Sequence, residues 1–572
     1  MSEGPRRRLQ LIGALFVGAA IIIVAQLLNV QIVQQRFYTE WGHEQRDQKL
    51  AVAEAPRGVI LDRDGHLLAG NGVRYSIEAA PAYMGDPQGV AAELSTALNL
   101  PLEHVLGLLD SDRPWVPIAS MVSKEVGDKV IELNLMGITV RPVWVREYPE
   151  TTLAAHALGF CNSEGQGYYG VEGFYDQQLR ARTVYVEGPV DYMSDQVPWT
   201  VLSISSSDPG QDMVLTIDRT VQGLAEEELA RSLQEYQAEG GTIIVMDPRT
   251  FDILALASAP NYNPGDYLSF VNASTPPFED PAVSKQYEPG SVFKVLTVAA
   301  ALDSGTVAPQ STYIDNGQIE VGGRLIRNSS YGAYGEQTIN DILIRSLNVG
   351  AAWLSTTMGP DIFYRYVKAF GISTPTGVDL AGEVAGQLWL PTDYEHWYDA
   401  NLGVNAFGQA LAVTPLQMIS AIATVANDGT RLRPHIVQRR IAADGTVYYY
   451  RPVVEEQVIA PETARIVSEM MVRAVQEGLP VAQVPGYRIA GKTGTAQIPI
   501  PGGYDPDGTI VTYVGFGSVP NPSFVILVKL DRPKSSEWAG ETAALSFQRL
   551  ASRLFVVLGV PPDGQVLAEA VQ

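Results

Sequence analysis

The sequence predicts a mixed α/β chain of the α+β kind: a membrane-crossing helix, a domain of mixed pattern, and a last domain built on a largely antiparallel sheet between helices. Three observations carry that expectation. Residues 9–35 are uncharged and densest in apolar side chains over 11–28, enough as a helix to cross a hydrocarbon core of about 30 Å. Apolar runs at 242–246 and 253–257 flank turn residues 247–250, the pattern of a hairpin at the heart of a sheet. Pro289-Gly290 breaks the chain ahead of an apolar run over 292–302, and residues 541–558 read as an amphipathic helix.

Composition bounds the function. At 572 residues, with 46% hydrophobic and 18% charged content, the chain can bury more than one core. A formal net charge of -23 argues against nucleic acid as a partner, since phosphates need a basic surface. Cys161 is the single cysteine, so there is no intrachain disulfide, and it reads as a small buried apolar residue. Six scattered histidines, none at ligand spacing, suggest no metal site.

From the N-terminus, Arg6-Arg7-Arg8 should keep residues 1–8 in the cytoplasm, with the helix at 9–32 and everything after it outside. No small-x-small site closely follows Leu28, so the span reads as an anchor and not as a cleaved signal peptide. Gln26 and Asn29 either lie at the headgroup level or face a partner helix.

Residues 33–212 form the next segment and carry no catalytic constellation. Arg57-Gly58-Val59-Ile60-Leu61-Asp62-Arg63-Asp64-Gly65 reads as a short strand ending at an Asp-Gly turn. Arg57, Asp62, Arg63 and Glu172 form either an ion-pair network toward the last domain or solvated surface charge. His156 has no acid-base partner nearby in sequence and reads as structural. Polar, turn-rich residues 203–210 suit a hinge. The last domain, 213–572, opens with a strand at 214–217, after which Asp218 caps a helix running to about Tyr236.

The chemistry centres on Tyr287-Glu288-Pro289-Gly290-Ser291-Val292-Phe293-Lys294. Ser291 should open a buried helix, with Lys294 one turn along on the same face. A serine hydroxyl needs a base to take its proton, and a lysine desolvated among apolar groups has its pKa lowered toward that role. Ser346-Leu347-Asn348 and Lys492-Thr493-Gly494-Thr495 follow in order. Serine acyl-transfer enzymes use this succession of Ser-x-x-Lys, Ser-x-Asn and Lys-Thr-Gly.

On these three motifs and their flanks, Asn348-Val349-Gly350 and residues 491–497, the sequence resembles the penicillin-binding proteins, the class B transpeptidases in particular. The stretch 57–65 is similar to the opening of that family's pedestal module, as are Arg146-Glu147-Tyr148-Pro149 with Ala155-His156, and Gly170-Val171-Glu172-Gly173. The resemblance implies a penicillin-binding, serine β-lactamase-like fold for the last domain. It implies Ser291 as nucleophile, Lys294 as base and Ser346 as proton relay toward the leaving amine, with Asn348 bonding Lys294 or the substrate amide. Lys492 would then supply charge for the substrate carboxylate, and Thr493 and Thr495 hydroxyl contacts. Gly494 would let the strand approach closely. The oxyanion hole would be the N–H groups of Ser291 and Thr495, about 3–4 kcal/mol per donor in related sites.

The remaining elements follow in order. Residues 339–347 are helical in pattern, with the Asn348 motif expected in a loop between helices. Asn405-Ala406-Phe407-Gly408-Gln409-Ala410 looks like the family's Gly-Gln-Gly segment, with Ala410 for the last Gly, and is expected to open a long helix. Phe251 likewise stands where the family usually has Gly. Residues 488–497 form a strand whose alternation puts Lys492 and Gly494 on one side and Thr493 and Thr495 on the other, which does not itself explain how both threonines could meet substrate. Residues 511–518 and 524–530 complete the sheet, ahead of the helix at 541–558.

The activity this implies is peptidoglycan D,D-transpeptidation: attack of Ser291 on a D-Ala-D-Ala stem peptide, release of D-Ala, and transfer to an amine, with β-lactams as inhibitors and no metal or organic cofactor. A polytopic glycan polymerase is the implied membrane partner, and division is favoured over side-wall elongation. Three other readings stand beside it. A β-lactam-sensing receptor would need additional transmembrane spans or a cytoplasmic signalling part, for which a stub of about eight residues offers no room. A β-lactam hydrolase would need a deacylating base, and no Glu-x-x-x-Asn stretch follows Asn348. A catalytically silent scaffold would not need intact Ser291, Lys294 and Lys492.

Overall fold

The computed structural model describes residues 18, 50–51, 56–111, 113–181, 185–186 and 209–563. The expected membrane helix at 9–32, apart from helical Gly18, and the arginine cluster before it lie outside the described residues, as does most of the expected hinge at 203–210. Among the described residues no helix is long and apolar enough to cross a membrane. The chain divides into two units, Met1–Ala55 with Ala181–Pro209, and Pro56–Arg180 with Gly210–Gln572. In the first, strands Leu50–Ala51 and Tyr185–Val186 pair antiparallel.

The second unit begins with β1 (Ile60–Leu61) and the long β2 (Leu67–Ala79). The turn between them forms because Asp62 Oδ1 accepts from the N–H groups of Asp64 and His66 at 2.9 and 2.8 Å. Helices α1 (Pro87–Leu98) and α2 (Leu102–Leu109), strand β3 (Val116–Val122), helix α3 (Lys124–Glu132) and strand β4 (Ile138–Glu147) complete the pedestal. Asp86 caps α1 through Gly89 N, and Asn99 ends it with a φ of 53°. Ile77, Leu94, Val105, Val116 and Val130 share a small core of their own.

Strand β5 (Asp212–Leu215) leads to α4 (Arg219–Tyr236), where Asp218 accepts from Thr220 and Val221 N as its sequence position predicts. The hairpin follows as β6 (Gly240–Met246) and β7 (Ile253–Ala259). Phe251, at its turn, has a φ of 59° and a fully buried ring. A left-handed residue costs about 1–2 kcal/mol, and burying a phenyl ring contributes about 1.5–3 kcal/mol, so the aromatic side chain offsets the strain a glycine would avoid.

Next come α5 (Lys294–Asp303), α6 (Ile339–Ile344), α7 (Asn348–Ala369), α8 (Pro415–Ala426), strand β8 (Val437–Ile441) and α9 (Pro461–Arg473). Strands β9 (Ala490–Ile500), β10 (Gly503–Gly517) and β11 (Phe524–Asp531) precede the last helix, α10 (Ala543–Val557). The catalytic sheet is five-stranded and antiparallel throughout, in the order β7-β6-β11-β10-β9. Alternation along β6 divides its side chains between two cores. Ile243 and Val245 face α4 and α10 with Phe547 and Leu554, while Ile244 and Met246 join the cluster holding Val295 of α5 and Met418 of α8.

A second sheet ties the pedestal to the rest. Its order is Val447–Tyr449, β8, β5, β1, β2, β3, with β4 also on β2, and the β1/β5 pair is its parallel contact. Strand β8 therefore comes from the catalytic half of the chain, which the linear reading did not anticipate.

The pedestal charges also resolve. Glu172, fully buried, takes Arg57 Nε at 2.7 Å on one oxygen and Arg146 Nε at 2.6 Å on the other, and Arg57 adds Asp176 at 2.8 Å. This is a buried network inside the pedestal, not solvated charge. Asp62 is turned to His66 and to Arg219 N instead of to either arginine.

Candidate active site

Ser291 lies in a 3-10 turn, Gly290–Phe293, that feeds directly into α5, so the helix expected at the serine begins one turn later at Lys294. Gly290 holds a φ of 57°, and a Cβ there would meet Thr495 O at 2.9 Å. A Cβ on Gly494 would meet Pro289 O at 2.5 Å. Two glycines thus let the Ser291 turn press against the edge strand β9.

Lys294 is completely buried. Its Nζ lies 2.9 Å from Ser291 Oγ, 2.6 Å from Ser346 O and 3.2 Å from Ser346 Oγ. Burial, and secondarily the charge of Lys492, holds its ammonium well below the ordinary lysine range. A neutral amine has two N–H donors and one lone pair. With both donors on Ser346 oxygens, the lone pair is left for the Ser291 hydroxyl.

Lys492, on β9, donates from Nζ to Ser346 Oγ at 3.0 Å, and more weakly to Thr493 Oγ1 and O at 3.3 and 3.4 Å. Burial pushes it down to about 8. Ser346 Oγ therefore stands between the two lysines and accepts from both. Its position rests on backbone strain: Ser346 has a φ of 56°, which turns its carbonyl and its hydroxyl toward Lys294. Thr338 starts α6 with a capping box to Asp341, and the helix ends at Ile344, two residues before Ser346.

Two expectations change here. Asn348 does not lie in a loop and does not bond Lys294. It is the first residue of α7, and its amide donates to Arg327 O at 3.0 Å, at the end of the hairpin formed by strands Gln318–Val321 and Arg324–Arg327. The segment 405–410 opens no helix, because α8 starts at Pro415 under a Thr414/Gln417 capping box. It packs instead beneath the Ser291 turn: Gly408 O accepts from Gly290 N at 3.1 Å, and a Cβ on Gly408 would stand 2.3 Å from Gly290 O. Ala410 adopts a φ of 57°, which accounts for the family's glycine there.

On β9, Gly494 is buried between half-exposed Thr493 and Thr495, and Thr495 Oγ1 accepts from Ala539 N at 3.4 Å. Thr493 is in contact with the Lys492 amine although the two side chains leave the strand on opposite sides. Ser291, Lys294, Ser346, Lys492 and Thr493 are thus brought together, with Gly494 and Thr495 against the turn and Asn348 on the neighbouring wall. Glu288 and Tyr504 belong to the same region: Tyr504 Oη donates to the buried Glu288 carboxylate at 3.2 Å. Glu288 lay in view beside the serine motif, but nothing in the sequence pointed to Tyr504. His156, expected to be structural, is buried and bonds Pro277 O, and burial pushes the Cys161 thiol up to about 11.

Comparison with known proteins covers both halves of the chain. Residues 241–552 match the penicillin binding protein transpeptidase domain, and residues 52–215 the penicillin-binding protein dimerisation domain. Stage V sporulation protein D of Bacillus subtilis is 32% identical over 97% of this chain and 86% of its own length. Peptidoglycan D,D-transpeptidase FtsI of Escherichia coli is 28% identical over 96% and 92%. Among solved structures, a peptidoglycan synthetase from Bifidobacterium adolescentis superposes with a TM-score of 0.73 at 27% identity, covering 89% of this chain and 96% of that one. Penicillin binding protein 3 of Mycobacterium tuberculosis, complexed with aztreonam, gives 0.69 at 27% identity, covering 89% and 97%. With a dimerisation domain preceding a transpeptidase domain, and relatives matched along nearly their full length, the chain belongs to the class B penicillin-binding proteins.

Proposed function

We propose that this chain is a peptidoglycan D,D-transpeptidase, the activity named for several of its relatives, that it works through an acyl-enzyme on Ser291, and that it acts at division. One observation carries the chemistry: the buried Lys294 amine sits 2.9 Å from Ser291 Oγ with its other polar contacts both on Ser346. Lys294 takes the Ser291 proton as Oγ attacks the D-Ala-D-Ala carbonyl, and the N–H groups of Ser291 and Thr495 receive the oxyanion. Ser346 Oγ, already accepting from both lysines, delivers its own proton to the departing amine of D-Ala and takes in its place the one Lys294 received from Ser291. An amine of a second strand then attacks the ester, reversing the proton path and freeing Ser291. Lys492 and Thr493 bind the terminal carboxylate, and Asn348, whose amide nitrogen donates to Arg327 O, keeps its side-chain oxygen for the substrate amide.

Incubation of the full-length chain with benzylpenicillin is expected to add one intact drug mass to the peptide containing Ser291, to persist for many minutes, and to vanish in Ser291→Ala. Release of free enzyme within seconds would turn the reading to a hydrolase, and no adduct on the folded chain would turn it to a silent scaffold.

The uncharged span at 9–32 behind Arg6-Arg7-Arg8 supports a single-pass anchor with the catalytic domain outside the cytoplasm, and a membrane-embedded glycan polymerase as partner rests on family membership alone. A reporter fused after Gln572 should then be active only outside the cytoplasm, and activity inside would reverse the topology.

A further inference from the structure

The hairpin joining β9 to β10 projects beyond the substrate-edge residues, and its tip, residues 501–503, is exposed. Tyr504, opposite Pro499 in the register, reaches back from it. Its phenol lies 3.2 and 3.4 Å from the two oxygens of Glu288, which is 6% exposed. Glu288 also accepts from Ala410 N at 2.9 Å. Ala410 belongs to the strained loop whose Gly408 carbonyl receives Gly290 N, next to the nucleophile. On the hairpin's other side Asp505 pairs with Arg532 at 2.6 Å, so adjacent residues fix it from opposite faces.

A buried carboxylate demands donors, and the two that Glu288 receives among the described residues come from the two segments that flank the serine turn. We propose that Glu288 and Tyr504 are positioning residues for acyl transfer: the phenol straps the substrate-side hairpin to the carboxylate beneath the Ser291 turn, holding strand 493–495 and the nucleophile at a set spacing. This rests on the acyl-enzyme reading above. Neither residue touches the reacting atoms, so the strap acts on the geometry of attack and not on drug binding.

The test is stopped-flow acylation of the full-length chain by a fluorescent penicillin over a range of drug concentrations, with thermal unfolding alongside. Tyr504→Phe is expected to lower the limiting acylation rate about tenfold, the size of one lost hydrogen bond to a charged group, with the dissociation constant of the non-covalent complex unchanged and the unfolding midpoint lowered only by the loss of that one bond. Glu288→Ala should slow acylation at least as much, Glu288→Gln should restore most of the rate because it keeps an acceptor for both donors, and Tyr504→Phe in the Glu288→Ala background should add nothing. An unaltered limiting rate in Tyr504→Phe, or losses that multiply in the double variant, would overturn the strap. If Glu288→Ala does not fold, Tyr504→Phe alone decides, since it removes one oxygen from a half-buried side chain on the hairpin. Failure of the unsubstituted chain to be labelled would remove the serine reading and the strap with it, whereas slow labelling confined to the variants isolates the strap.

Discussion

Lys294 and Lys492 sit on either side of one hydroxyl, and burial lowers both. Lys294, completely buried and beside a second cation, is held well below the ordinary lysine range, and Lys492, pushed down to about 8, is cationic below that value. Acylation by benzylpenicillin should therefore rise as pH climbs through the lowered Lys294 value and decline above about pH 8, as Lys492 loses the proton that attracts the drug's carboxylate. Lys492→Ala should lower the plateau and erase the alkaline limb, while Lys294→Ala should fold yet acylate hardly at all. A flat profile above pH 8 in the unsubstituted chain would remove Lys492 from its charge role. Stability moves the other way. Both lysines have lowered values in the folded state, so between those values and the ordinary lysine range the unfolded chain binds more protons, and stability rises with pH. Ser291, Lys294 and Lys492 were legible because their motifs carry chemistry. The left-handed backbone of Ser346 was not, since nothing in a serine's own propensity announces it.

At the scale of elements, the glycines of β9 and the serine turn set how closely two segments approach. In Gly494→Ala the added Cβ would meet a backbone carbonyl, Pro289 O, at 2.5 Å, and Val292 Cγ2 at 2.9 Å, so the turn itself must shift. A displacement of that kind is expected to slow acylation about a hundredfold, with an overpacking cost of about 1–3 kcal/mol in stability. Acylation within twofold of the unsubstituted rate would show that strand and turn can separate without consequence. Helix α4 with its Asp218 cap and the β6/β7 hairpin were readable because cap and alternation are local signals. The segment 405–410 was misread for a physical reason: its left-handed Gly408 and Ala410 serve a contact with Gly290, and a tertiary contact leaves no periodicity.

For the molecule as a whole, the buried pairing of Glu172 with Arg57 and Arg146 decides whether the pedestal holds together. Glu172→Ala would leave two nearly inaccessible guanidinium groups without their shared carboxylate. Breaking a buried pair from one side typically costs about 3–5 kcal/mol, so the denaturant midpoint should fall clearly, with a smaller fall in Glu172→Gln. A midpoint unchanged within error would mean that the carbonyls of Gly58, Gly70 and Gly165 and the Asp176 carboxylate suffice for the arginines. Because β8 extends the pedestal sheet from the catalytic half, unfolding should not separate the two regions cleanly.

The sequence by itself determined the family, the order of the motifs and the pairing of Ser291 with Lys294, because these depend on residue type at short spacing. The tertiary structure decided what depends on meetings between distant segments. It placed Ser346 between two lysines from other elements, turned Asn348 toward Arg327, brought Tyr504 to Glu288, joined Arg146 to Glu172, and carried β8 into the pedestal sheet. Such contacts follow from burial and chain path, and a linear pattern does not encode which buried donor will find which acceptor.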